Sequence, residues 1–143
     1  MKKVSIIVAC RNEEEFIEKC LESLLAQDYP SELIEIIVVD GMSTDRTVEI
    51  VHRLKKKLNV LMNHKKYKYS GVNQALKHVV GDYIAIADAH SIYPREYISR
   101  SVRELDNSNA DNVGGGWIVH PRTKGLLAKS ITFSLTTPFG ICT

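Results

Sequence analysis

The segment Asp82–Pro94 reads DYIAIADAHSIYP. An apolar run ends on Asp88 and His90, two residues apart, just before Tyr93-Pro94 breaks the chain. A carboxylate and an imidazole in one short turn can face the same side and hold a divalent cation, and the mixed pair suits Mn²⁺ better than Mg²⁺ alone. The plainer reading makes Asp88 a turn residue and His90 an exposed loop histidine. Placement at the end of a buried strand favours the first. Asp40, which closes another apolar run, also has two readings: it braces a turn, or its carboxylate accepts the imide N–H of a uracil.

Two glycine-based phosphate cradles fail. A dinucleotide fold needs G-x-G-x-x-G after the first strand, where this chain has CRNEEE, and three glutamates would repel a pyrophosphate. A P-loop needs G-x-x-x-x-G-K-[ST]; GLLAKS at 125–130 lacks the second glycine and follows no early strand. If phosphate binds here, a cation must offset its charge.

These residues need a scaffold. Val4–Ala9 is a β-branched run expected to be a strand buried on both faces. Asn12 can cap a following helix whose apolar stripe is Phe16, Ile17, Cys20, Leu21, Leu24 and Leu25, ended by Asp28-Tyr29-Pro30. Ile34–Val39 is a second buried strand; Gly41 turns the chain, and Ser43, Thr44 or Asp45 can cap a helix with Val48, Val51, Leu54 and Leu58 inside. A short third strand over Asn59–Met62 and a loop over 63–68 precede a helix over Ser70–Val80, stopped by Gly81. Tyr83–Ala87 is a fourth buried strand, and a helix over about 94–106 follows, with Pro94 near its first turn. Asp111–His120 is expected as a fifth strand despite Gly114-Gly115-Gly116, and Leu126–Leu135 as a helix. Alternating strand and helix give an α/β fold: a mostly parallel sheet with helices on both faces, and ligands beyond the carboxyl ends of the strands.

The totals narrow the classes. The 143 residues make one domain or part of one, and 44% hydrophobic with 25% charged residues can bury a core. Nineteen Lys+Arg against 17 Asp+Glu leave +2, which gives no argument for nucleic acid as a partner. Basic residues do gather over 52–68, either as a solvated helix face and loop or as a positive rim for phosphate or an anionic membrane. Three cysteines (Cys10, Cys20, Cys142) without metal or redox spacing fit a reduced cytoplasmic setting, with Cys20 a small core residue. MKKVSIIVAC mimics an export signal, but its apolar run is too short, and no run of 18 apolar residues exists.

The segments VSIIVACRNEEEFIEKCLESLLAQ, IEIIVVDGMSTDRTVEIV, SGVNQALKHVVGDYIAIADAH and VGGGW together resemble the family 2 inverting nucleotide-sugar glycosyltransferases of GT-A fold. The DAH form is similar to the subgroup that builds exopolysaccharides. The resemblance implies a nucleoside pocket of Ala9, Arg11 and Glu14, with Asp40-Gly41 contacting uracil. It implies Gly71 and Asn73 at the sugar-diphosphate side, Asp88 near ribose and metal, and His90 where the family usually has a second metal-binding aspartate. It further implies a UDP-sugar donor, a glycan or lipid-linked acceptor, Mn²⁺ or Mg²⁺, and a cytoplasmic location at the membrane face with peripheral association.

Transfer would break the anomeric carbon–diphosphate bond through an oxocarbenium-like transition state, with inversion in one displacement. No catalytic base is assigned; Asp106 and Asp111 follow the metal motif but match nothing in the family's base region. A full GT-A domain needs roughly a hundred more residues, so residues 1–143 are expected to be the nucleotide-sugar-binding part of one such domain. Gly114–Trp117 would approach donor or acceptor, or form a bulged strand around a packed indole. TFSLTTPFG would be an apolar edge that drives self-association. The rivals are a non-catalytic or truncated nucleotide-sugar-binding module and a nucleotidyltransferase, whose glycine- and arginine-rich first loop is missing here.

Overall fold

The two longest apolar runs lie side by side. Val4–Cys10 (β1) pairs in parallel with Ile34–Asp40 (β2), and β2 with Asn59–Met62 (β3). On its other side β1 pairs in parallel with Tyr83–Asp88 (β4), which gives the order β3-β2-β1-β4. This computed structural model describes residues 1–54, 58–116, 118 and 125–136. The chain divides into two compact units, Met1–Asp111 and Asn112–Thr143.

Register brings the strand ends level. Cys10 lies opposite Asp40, Asp40 opposite Met62, and Ala9 opposite Asp88. The period of two then sorts the side chains. Ile6, Val8, Ile36 and Val38 pack against helices Ile17–Leu25 (α1), Thr47–Leu54 (α2) and Tyr97–Asn107 (α4). Ile7, Ile37 and Val39 pack on the opposite face with Ala75 of Lys68–Ala75 (α3), joined by Val72 and Val79. Each of these buried aliphatic side chains is worth about 1.5–3 kcal/mol of transfer free energy. The parallel sheet clothed on both faces is therefore the one the element order predicts. Cys20 is the core residue expected on α1.

Several local expectations are corrected. Only one face of β4 is buried: Ile84 and Ile86 are exposed, because α3 lies over β1 and β2. Asn12 does not cap α1. It takes a left-handed φ of 55° and ties two loops together, its N–H donating to Ser43 Oγ (2.9 Å) and its Oδ1 accepting from Thr44 N–H (2.8 Å). At the head of α2 it is Asp45, of the three candidates, whose Oδ1 accepts a helix N–H, that of Thr47 (2.9 Å). Leu58 lies beyond the end of α2 but is still buried; Lys55–Lys57 are outside the described residues.

The third helix starts and stops earlier than its periodicity suggests, and Gly81 does not end it with a left-handed turn. Gly81 has no positive φ; it is a point of close approach, where a Cβ would stand 2.5 Å from the backbone nitrogen of Ser5. In the second unit, Leu126–Thr136 (α5) matches the expected helix. The expected fifth strand is not seen in Asp111–Gly116 or Ile118; Trp117 and residues 119–120 lie outside the described residues. Among the described residues no helix is long and apolar enough to cross a membrane.

Candidate functional site

The level strand ends open onto one cleft. Ala9, Cys10 and Arg11 enter it from the end of β1, Glu13 from the turn beyond, and Val39 and Gly41 from β2. Asn63, Lys66, Tyr67 and Lys68 come from the β3–α3 connection, and Asp88, Ala89 and His90 from the end of β4. The cleft holds about 240 Å³. Sites that enclose a whole drug-sized ligand run to about 300–1,000 Å³, so this cleft is smaller than those.

Asp88 and His90 both line this cleft, each with its own partner. The Asp88 carboxylate pairs with the ammonium of Lys68. His90 Nδ1 lies 3.2 Å from Glu13 Oε1. The backbone of Asp88 is held from below. Its N–H donates to Tyr93 Oη at 2.7 Å, and its carbonyl accepts from Cys20 Sγ at 3.4 Å. The Tyr93-Pro94 break thus returns the chain so that a phenol supports the strand end. Burial pushes the Tyr93 phenol up to about 12. Burial, and then the Asp88 charge, do the same to the Cys20 thiol. Both stay neutral hydrogen-bonding groups.

The opposite wall is organised by Asn63, which is 4% exposed. Its N–H donates to Asp40 O (2.7 Å), its Nδ2 to Tyr67 O (2.9 Å), and its Oδ1 accepts from Lys65 N–H (3.2 Å) and Ser70 Oγ (3.0 Å). These bonds close a tight loop in which Lys66 takes a φ of 67°, and they turn Lys66, Tyr67 and Lys68 toward the cleft. Gly41 has little room for a side chain: a Cβ there would meet Arg11 Cβ at 3.2 Å and Lys66 O at 3.3 Å.

Of the expected site residues, Ala9, Arg11, Gly41, Asp88 and His90 line the cleft. Four others do not. Asp40 is 1% exposed, and its carboxylate accepts from Ser43 N–H (2.9 Å) and Ser43 Oγ, so it has the turn-bracing role rather than a wall position. Glu14 is drawn away to Arg46, whose N–H and Nε both donate to Glu14 Oε2 at 3.1 Å. Gly71 is buried behind the wall, where a Cβ would meet Asn63 Nδ2 and Val39 Cγ1 at 3.3 Å. Asn73 is exposed on α3 away from the cleft. Asp106 accepts a hydrogen bond from Tyr83 Oη (2.6 Å) at the opposite end of β4, which removes it as a base at this edge. Gly114 and Gly116 have open space where a Cβ would go.

Sequence alone does not single out Glu13, Asn63 or Tyr67, and it offers Lys68 only as one of several basic residues over 52–68 that could meet phosphate. One signal was available for the loop: an asparagine directly after a strand nucleates turns through its side chain. Among the described residues no three His, Cys, Asp or Glu side chains form a metal-ligating group. Asp88 and His90 line the same cleft, and they are the donors a divalent ion would take there if its other ligands came from phosphate and water.

A family profile described as Glycosyl transferase family 2 matches residues 5–141. A relative in Methanococcus voltae is 30% identical over 96% of this chain and 46% of its own length. It is a dolichyl N-acetyl-alpha-D-glucosaminyl phosphate 3-beta-D-2,3-diacetamido-2,3-dideoxy-beta-D-glucuronosyltransferase. The mannosyltransferase PcManGT of Pyrobaculum calidifontis, solved with GDP-Man and Mn²⁺, superposes with a TM-score of 0.69 at 32% identity, over 73% of this chain and 32% of that one. Residues 1–349 of Staphylococcus aureus TarS, solved with UDP, superpose with a TM-score of 0.69 at 28% identity, over 86% of this chain and 40% of that one. The chain spans less than half the length of each of these three proteins.

Proposed function

The chain belongs to glycosyl transferase family 2, and from that premise we propose that residues 1–143 are the donor-binding part of a single GT-A domain that moves a sugar from a UDP-sugar to a glycan or lipid-linked acceptor, with inversion. The carrying observation is the cleft itself. Arg11, Lys66 and Lys68 bring positive charge to the edge of the sheet where Asp88 and His90 stand. A nucleoside diphosphate is the ligand whose charge such a wall complements. The UDP complex of TarS favours uridine as the nucleoside, and the GDP-Man complex of PcManGT makes guanosine the rival.

In the proposed reaction an acceptor hydroxyl attacks the anomeric carbon from the face opposite the diphosphate, and a carboxylate takes its proton. The diphosphate leaves with the bonding electron pair. Lys66 and Lys68 would neutralise that charge where it grows, and Arg11 would hold the nucleotide against the end of β1. Asp88 and His90 would hold the Mn²⁺ or Mg²⁺, which would supply further Lewis-acid stabilisation of the leaving group. The part-buried backbone bonds to Tyr93 and Cys20 would fix Asp88 for this role. The Mn²⁺ of the PcManGT complex supports the metal. On this reading the protein would work at the cytoplasmic face of the membrane, where a lipid-linked acceptor would be met.

Calorimetry on the full chain with UDP, GDP and CDP, each with Mn²⁺ and then with chelator, tests the reading. UDP with Mn²⁺ should bind tightest, and Asp88→Ala should erase the difference made by Mn²⁺. Equal binding of all three nucleotides would remove the uridine assignment. Binding of UDP without sugar transfer or donor hydrolysis, over a range of acceptors, would favour a binding module instead.

A further inference from the structure

The ion pair between Lys68 and Asp88 puts an ammonium on the carboxylate that a divalent ion would need. We propose that Lys68 is the counter-ion of Asp88: it holds the carboxylate until a metal–nucleotide pair arrives, then gives it up and turns to the diphosphate. This rests on the nucleotide-sugar reading above.

Three observations carry it. Lys68 stands on the first turn of α3 and lines the same cleft as Asp88 and His90, so its ammonium can reach either the carboxylate or a ligand beside it. Its side chain is 57% exposed and that of Asp88 29%. A pair so open to water is weak enough to exchange, since half-exposed ion pairs contribute little. Lys66, on the same loop, lines the cleft without a carboxylate partner in the ion pairs seen among the described residues. The difference that matters here is that Lys68 competes with a cation for Asp88 and Lys66 does not.

The consequence is a link between two binding events. With Lys68 on Asp88, a metal ion alone must displace an ammonium that has nowhere better to go. A diphosphate offers that ammonium new acceptors, so metal and nucleotide together meet no such competition. Conversely, a diphosphate without metal meets a carboxylate already neutralised by Lys68. Removing the ammonium should therefore act with opposite signs on the two ligands taken singly. Metal alone should bind more tightly, and nucleotide alone more weakly. A lysine that merely touched phosphate would change the nucleotide and leave the metal alone. A lysine that only supported the fold would weaken both.

Titrate Mn²⁺ without nucleotide, UDP with chelator, and UDP with Mn²⁺, on the full chain and on Lys68→Met, Lys66→Met and Asp88→Asn. Lys68→Met should raise the affinity for Mn²⁺ alone by about fivefold, the ceiling set by a half-exposed ion pair, and should weaken UDP in chelator by a similar factor. Lys66→Met should weaken UDP but move Mn²⁺ alone much less. In Asp88→Asn the second change Lys68→Met should leave Mn²⁺ affinity where it is. If Lys68→Met and Lys66→Met shift Mn²⁺ alone equally, Lys68 has no special claim on Asp88 and the inference is overturned, even with UDP and Mn²⁺ still binding the unaltered chain. If the unaltered chain binds no UDP with Mn²⁺, the nucleotide-sugar reading fails and takes this one with it.

Discussion

Asp40 shows how a carboxylate at a strand end acquires its task. Alone in the sequence it could as well meet a uracil as brace a turn, because both tasks ask for an acceptor beyond an apolar run. The fold supplies a donor pair, the N–H and Oγ of Ser43, three residues on and within reach of both oxygens. Asp40 is also 1% exposed, so a base could reach it only after those bonds are broken. Replacing it with alanine leaves the Ser43 N–H without its acceptor in a part-buried setting, at a cost of about 1–3 kcal/mol. The expected result for Asp40→Ala is a lower urea midpoint, with the order of affinity among UDP, GDP and CDP unchanged. Loss of that order with stability intact would return Asp40 to the nucleoside pocket. Glu14 follows the same logic: its fate turns on Arg46, 32 residues away, whose approach depends on how α1 and α2 pack.

At the scale of elements, glycines separate two causes that look alike in sequence. Gly81 and Gly116 both sit where a strand or helix was expected to stop or weaken. A Cβ on Gly81 would lie 2.5 Å from Ser5 N and 2.8 Å from Tyr83 O, backbone atoms of two paired strands that have no rotamer to change. At Gly116 the same Cβ would meet nothing within 4 Å. Gly81→Ala should therefore lower stability by about 1–3 kcal/mol, the usual cost of overpacking. Gly116→Ala should shift the urea midpoint little, and equal effects from the two would refute the close-approach account. The same contrast marks what was legible. The strands at Val4 and Ile34 could be placed because a buried parallel strand writes itself as a local apolar run, those at Asn59 and Tyr83 because shorter apolar runs follow helices, and level strand ends follow from parallel pairing. The cleft's second wall could not. Asn63 works through Asp40, Tyr67 and Ser70, and the resulting turn of Lys66 and Lys68 toward Asp88 is a property of that closed loop. No spacing among the lysines of 65–68 announces it.

At the scale of the whole molecule, three neutral acids stand in and beneath the cleft, and they make stability depend on alkaline pH. Burial first, and then the nearby Asp40 carboxylate, raise the Cys10 thiol from 9.0 to about 12. Cys20 is raised as far by burial and Asp88. Tyr93 moves from 10.0 to about 12, chiefly through burial. In the unfolded chain each would ionise at its ordinary value, while in the fold each keeps its proton. Above about pH 9 the unfolded state therefore binds fewer protons than the native one, and the linkage relation makes stability fall as pH rises. The contribution is whole below the unfolded values and is lost by the time pH passes the folded ones, near 12. Other groups also bear on alkaline stability, so the informative quantity is a difference between variants. Cys10→Ala with Cys20→Ala removes two of the three groups together with their hydrogen bonds to Val39 O and Asp88 O. That double variant should start from a lower urea midpoint at neutral pH and then lose less between about pH 9 and about pH 12 than the unaltered chain. Parallel curves would mean the thiols ionise as readily in the fold as out of it. The strand ends that carry Asp88 would then not be as dry as their packing implies.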